Sequence, residues 1–334
     1  MSSEKSKITS LGVLRGIAVA AVCFCHFGKP LSAGSVMPDF FGLLGKYGEY
    51  GVQIFFVISG FVIPYSLSRG NYQLRDYPVF LWKRILRLHP PYLISLLLTL
   101  ILSYLSYRSR HMVFPETAVS IVKSFFYIHA PVGNPVYWTL KVEAQYYLFI
   151  GLFFVLLSRY QKASIWLGMP ILLCCGRWFV GDYIIFFNFL VFFFIGIMGY
   201  IIYVKKEQSF LDHMAIVGLI AFSWVYYDLA ATLSAAMTVA IILFYRRPMK
   251  KWAEYTGEIS YSLYLIHFPV GIKLINLLQR KVSGSWNWLL FIIATIICYG
   301  LAIILYHVVE TKATQWSNRF KYRSKREIAL EQNK

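Results

Sequence analysis

Ten apolar runs, most of them near the length that crosses a bilayer, dominate this 334-residue sequence. They fall at 11–27, 51–67, 91–107, 138–157, 165–180, 184–204, 214–227, 229–245, 259–278 and 288–309. A helix needs about 20 mainly apolar residues to cross the hydrocarbon core, and in lipid it must satisfy its backbone polar groups internally. The pattern predicts an all-α fold, a polytopic transmembrane bundle of about ten helices. The seventh and eighth runs are the weakest, being short and divided only around Asp228. Composition agrees, with 58% hydrophobic and 14% charged residues where a soluble domain carries about 45–50% and about 25%. Disordered chains, disulfide-stapled miniproteins and ordinary soluble enzymes are thereby excluded. The five cysteines all lie in apolar stretches without zinc or disulfide-framework spacing, so they are expected to be inert thiols.

The net charge of +18 first suggests nucleic acid, but such charge normally sits on a polar surface. Here it lies between the apolar runs. The amino terminus, every second loop and the carboxyl terminus together hold 22 Lys and Arg, and the opposite loops hold eight. The positive-inside rule then puts both termini in the cytoplasm, which requires an even number of spans. The reading is a transmembrane domain over 1–310 and a basic cytoplasmic tail over 311–334, with membrane lipid as a partner and no nucleic acid. The first run carries Arg15 and lacks an obvious cleavage site, so it is expected to remain as a span.

Ionisable residues inside spans are costly and therefore informative. Arg15 and His26 share the first run; eleven residues of helix advance about 16 Å and make about three turns, so both point to one face. Arg15 would also serve as a snorkelling anchor, and His26 as an interfacial hydrogen-bonding group. In WKRILRLHPPY (82–92), Arg84 and Arg87 stand at i and i+3 just ahead of a Pro-Pro pair taken as the start of the third span. Two guanidiniums so spaced suit phosphate capture, although plain positive-inside charge accounts for them too. Glu143 in YWTLKVEAQYYL (137–148) should reach the depth of His26 and needs a partner, either that histidine or an internal Lys or Arg. His267 closes the polar stretch GEISYSLYLIHFPV (257–270) with Ser260 and Tyr264, which fits interhelical hydrogen bonding as well as substrate contact.

Taken in order, these segments resemble the acyltransferase-3 family of integral membrane acyltransferases. LRGIAVAAVCFCH is similar to its opening Arg and His segment (Arg15, His26), and GVQIFFVISGFVI (51–63) to its second segment. Arg84 and Arg87 match its Arg-x-x-Arg motif, WTLKVEAQYYL its Glu-bearing segment, and ISYSLYLIHFPV its late Ser-Tyr-His segment. Three accessory acids of the family pattern are absent, with Gly12, Gln53 and Ala144 in their places, and His89 stands where the family often has another residue and is assigned no role. No fused hydrolase-like domain is expected.

The resemblance implies transfer of an acyl group, commonly acetyl from acetyl-CoA, to a hydroxyl of a cell-envelope carbohydrate. O-antigen and exopolysaccharide are examples, and the acceptor can be lipid-linked. The setting would be the bacterial cytoplasmic (inner) membrane, with no metal involved. Arg84, Arg87 and Arg15 would hold the donor's phosphates. His26 would act as general base or accept the acyl group itself, with Glu143 orienting or stabilising the imidazole. Trp138, Ser260, Tyr264 and His267 would contact substrate or support the site. Specificity would reside in the outer loops, above all 108–136. The rival reading is a transporter or flippase of a glycan or anionic substrate, since buried Arg, His and Glu also mark such pathways.

Overall fold

Apolar runs in lipid become helices because no other open structure pairs its own backbone. The computed structural model describes residues 9–33, 35–205, 209–245, 247–248 and 250–322, and no described residue lies in a strand. The chain begins with α1 (Thr9–Leu31), α2 (Pro38–Tyr47) and α3 (Gly51–Arg69). Next come α4 (Tyr77–Arg108), α5 (Ala118–Phe125) and α6 (Trp138–Arg159). There follow α7 (Gln161–Val180), α8 (Ile185–Val204), α9 (Phe210–Tyr226) and α10 (Leu229–Phe244). The last are α11 (Lys251–Glu258), α12 (Ser260–Leu278) and α13 (Gly284–Arg319).

Eight of the described helical stretches are long and apolar enough to cross a membrane, and α9 and α10 are shorter apolar helices. These two are the seventh and eighth runs. Asp228 divides them because its carboxylate caps α10, accepting from the Ala231 amide at 2.8 Å.

One boundary differs from expectation. The third span does not start at the proline pair: α4 runs unbroken from Tyr77 through Pro90 and Pro91 to Arg108. Prolines delete only their own amide bonds, and membrane helices tolerate that loss where neighbours re-satisfy the backbone. Arg84 and Arg87 therefore lie well inside a helix and share a helical face.

The chain divides into two units. The first comprises the residues up to Phe61, Val191–Tyr264 and Leu274–Thr295. Without a hydrophobic drive between helices in lipid, close backbone approach at small residues does much of the packing. A Cβ on Gly60 would lie 2.2 Å from the Phe193 carbonyl oxygen, and one on Gly196 2.1 Å from that of Val57, so α3 and α8 touch backbone to backbone. α1 and α11 meet likewise where Gly257 faces Gly12.

The second unit comprises Val62–Leu190, Leu265–Lys273 and the chain from Ile296. Its centre is α4 against α6, where Tyr72 donates to the Gly151 carbonyl at 2.8 Å and Tyr77 to that of Leu148 at 3.1 Å. The start of the expected tail packs here too. Ser317 donates to the Lys83 carbonyl at 2.9 Å, and Lys83 Nζ to that of Phe320 at 2.8 Å. The rest of the tail, 323–334, lies outside the described residues.

The segment between α4 and α6 folds back along α4 rather than standing off from it. Gly133 abuts Ser103, Tyr92 donates to the Ser124 carbonyl at 2.6 Å, and His89 Nδ1 lies 3.1 Å from the Tyr127 hydroxyl. From Ser103 to His89 is 14 residues of helix, about 21 Å.

Candidate active site

The second unit assembles three of the expected site residues. Arg84 lies over two rings, 5.3 Å from the centroid of Phe80 and 5.6 Å from that of Tyr147. Tyr147 in turn donates its hydroxyl to Glu143 Oε1 one helical turn back on α6. Arg84 senses Arg87, Tyr322 and Glu143 electrostatically. The Nε atoms of both arginines are buried and have no hydrogen-bond partner among the described residues. Two half-buried guanidiniums whose buried Nε donors are unused, on one helix face, are an arrangement that an anionic ligand would complete.

Among the described residues of its unit, Glu143 makes no ion pair with a Lys or Arg. The internal salt bridge considered from sequence is therefore absent there, and the tyrosine hydroxyl supplies the contact instead. Tyr322, beyond the last span, has its phenol pushed up by burial, with Arg84 acting in the opposite direction.

His89 and Tyr127 also belong to this neighbourhood. Tyr127 has φ 61°, the left-handed region that a bulky residue adopts only when its surroundings impose it. Its ring packs on Tyr92 at 4.4 Å between centroids and on His89 at 5.6 Å. Tyr127 also senses Glu143 electrostatically. Sequence reasoning passed over these tyrosines. Only Tyr147 had a legible signal, its i+4 spacing from Glu143.

His267 is completely buried and opens a π-helical stretch, His267–Ile272, that contains Pro269. Such bulges turn a side chain out of register with the regular helix. Trp138 packs against Phe189 with centroids 5.0 Å apart.

Arg15 and His26 belong to the first unit, both half-buried on α1. Near His26, Lys29 pairs with Glu49 at 3.3 Å, and Cys25 Sγ lies 3.3 Å from the Gly45 carbonyl oxygen. Beside Gly12, where the family pattern carries an acid, the backbone of Glu254 approaches from α11. Ser260 is buried and donates to the Gly257 carbonyl at 2.7 Å, and Tyr264 meets Phe55 edge-on at 6.1 Å. The structure thus groups Arg84, Arg87 and Glu143 in one unit, and Arg15 and His26 in the other.

Helices of this length and apolarity define a multi-pass membrane protein. The family model described as an acyltransferase domain, of the acyltransferase-3 type, matches residues 8–307. The chain therefore belongs to the acyltransferase-3 family and is a membrane acyltransferase. No curated protein and no solved structure gives a match.

Proposed function

We propose that this protein transfers an acyl group, acetyl in the simplest case, from cytoplasmic acyl-CoA to a hydroxyl of a cell-envelope carbohydrate. The setting is the bacterial inner membrane, with both termini in the cytoplasm. The observation that carries the reading is the half-buried pair Arg84 and Arg87, whose Nε donors are buried and have no partner among the described residues. Guanidinium forks match phosphate oxygens, and the acyl-CoA donor brings several phosphates.

In this reading His26 takes the proton of the acceptor hydroxyl as its oxygen attacks the thioester carbonyl. The C–S bond breaks, the acyl group passes to the oxygen, and the CoA thiolate leaves and recovers the proton. The expected partnership of His26 with Glu143 rests on the family resemblance. Tyr147, bonded to Glu143, supports the fixed orientation of that carboxylate.

Deleting the gene and weighing the envelope glycans tests the reading. One acyl mass unit should vanish, return with the wild-type chain, and stay missing with His26→Ala expressed at normal level. Unchanged glycan masses on deletion, or full restoration by His26→Ala, would overturn it.

A further inference from the structure

α4 carries a second polar face far from the arginines. Ser95, Thr99 and Ser103 recur every four residues, share one side of the helix and are all buried. The first two are fully engaged. Ser95 donates to the Leu265 carbonyl at 2.8 Å, Thr99 to that of Ser95 at 2.8 Å, and the Tyr137 hydroxyl joins both side chains at 2.6 and 3.1 Å.

Ser103 is different. It accepts from Lys273 Nζ at 2.8 Å, which uses one of three ammonium protons. Elsewhere Lys29 and Lys205 each meet a carboxylate. Lys273 and Arg110 meet none among the described residues of their unit, and the two cations bear on each other electrostatically. Like charges that bear on each other at the edge of an apolar span repel, and an anion beside them would relieve that repulsion. A snorkelling lysine would reach outward; this one is tied inward to a buried hydroxyl.

Asn134 adds an independent sign. It is fully buried beside the Tyr137 hydroxyl, yet neither its amide nitrogen nor its oxygen makes a hydrogen bond of ordinary geometry among the described residues. The turn that carries it rests on Ser103 through Gly133.

Ser103 lies 16 residues beyond Arg87 on α4, about 24 Å of helix against a hydrocarbon core of about 30 Å. The two cationic sites thus mark opposite ends of one spanning helix. We propose that Lys273, Arg110 and Ser103 form a receptor for an anionic group, carboxylate or phosphate, carried by the acyl acceptor. The assignment to the acceptor rests on the reading that the arginine end holds the donor.

The test uses the full chain in neutral detergent and three probes of one chain length: hexyl glucuronide, hexyl glucoside and hexyl phosphate. Calorimetric titration should show at least one anionic probe binding about tenfold or more tightly than the glucoside, as expected for hydrogen bonds to a charge. Which anion holds the advantage distinguishes an acidic sugar from a lipid-borne phosphate. The advantage should disappear in Lys273→Gln and survive in Lys273→Arg. Should Lys273→Gln fail to fold, the exposed Arg110→Gln carries the test and should cut the advantage about threefold. Equal binding of all three probes to the wild type overturns the proposal, as does an undiminished anion preference in the folded Gln variants. Acetyl-CoA titrated into the same samples reads the donor end separately. Its failure to bind would overturn the donor assignment, while the anion preference would still decide this site.

Discussion

Tyr147 hydrogen-bonds Glu143 with its hydroxyl while the face of its ring lies 5.6 Å from the Arg84 guanidinium. One side chain thus links the carboxylate expected to serve catalysis with the cation expected to serve donor binding. Removing only the hydroxyl, as Tyr147→Phe, should leave the Arg84 contact in place and free Glu143. A hydrogen bond to a charged group is worth about 1.5–3 kcal/mol, so turnover should fall about ten- to a hundredfold. The acetyl-CoA KM should stay within about twofold, because the ring persists under the guanidinium. A raised KM at unchanged kcat would contradict this division of labour.

Arg84 is placed for more than charge. Its guanidinium lies over both the Phe80 and Tyr147 rings and presents a fixed fork of donors that an ammonium lacks. Arg84→Lys should therefore weaken acetyl-CoA binding about tenfold despite conserving charge, and Arg84→Ala by a further factor of several. Equilibrium binding of labelled acetyl-CoA measures both. A lysine variant that binds as the wild type would reduce Arg84 to positive-inside charge.

Much of this was open to reading in one dimension, for identifiable reasons. Span positions follow from run length, and even the weak seventh and eighth runs separate at a residue, Asp228, whose capping chemistry marks a helix start. The Arg84 and Arg87 pair follows from i, i+3 spacing. The prolines at 90 and 91 misled because the local rule that ends helices at proline is overridden in a long membrane helix. The fold-back of the segment after α4 was hidden because its apolar stretch is too short to read as a span and its placement depends on contacts such as Gly133 on Ser103. Tyr127 could not be foreseen at all. A left-handed tyrosine has no local signature, and its cost, about 1–3 kcal/mol, is met by ring packing on Tyr92 and His89.

The fold-back segment also has a pH-dependent anchor. Glu116, its side chain 2% exposed, accepts from Ser120 Oγ at 2.7 Å and the Val132 amide at 2.8 Å, and meets His129 Nε2 at 2.9 Å. Burial alone would raise this carboxyl, but the Ser120 hydroxyl, the Val132 amide and His129 together hold it below the ordinary value of 4.5. A depressed folded-state value means that the stabilisation is present above 4.5 and lost as pH falls through the folded-state value. Glu116→Gln should thus melt below the wild type at neutral pH, and the gap should close only in acid below that point. Thermal unfolding across a pH series checks it; no gap at neutral pH, or one that persists unchanged into strong acid, would contradict the carboxylate anchor.

Gly133 allows a close approach of the fold-back to α4. A Cβ there would stand 1.9 Å from Ser103 Oγ and 3.0 Å from Ser103 Cβ. Gly133→Ala must therefore either push the turn off α4 or rotate the Ser103 hydroxyl away from Lys273, to which it is bonded at 2.8 Å. Either route should cost about 1–3 kcal/mol, seen as a lower melting temperature. The two routes separate in a double mutant. Ser103→Ala removes the oxygen that the new methyl would strike, so Gly133→Ala should cost markedly less in that background, giving a coupling of about 1 kcal/mol. Additive losses would show that the turn yields instead, and that the Ser103–Lys273 bond does not govern its position.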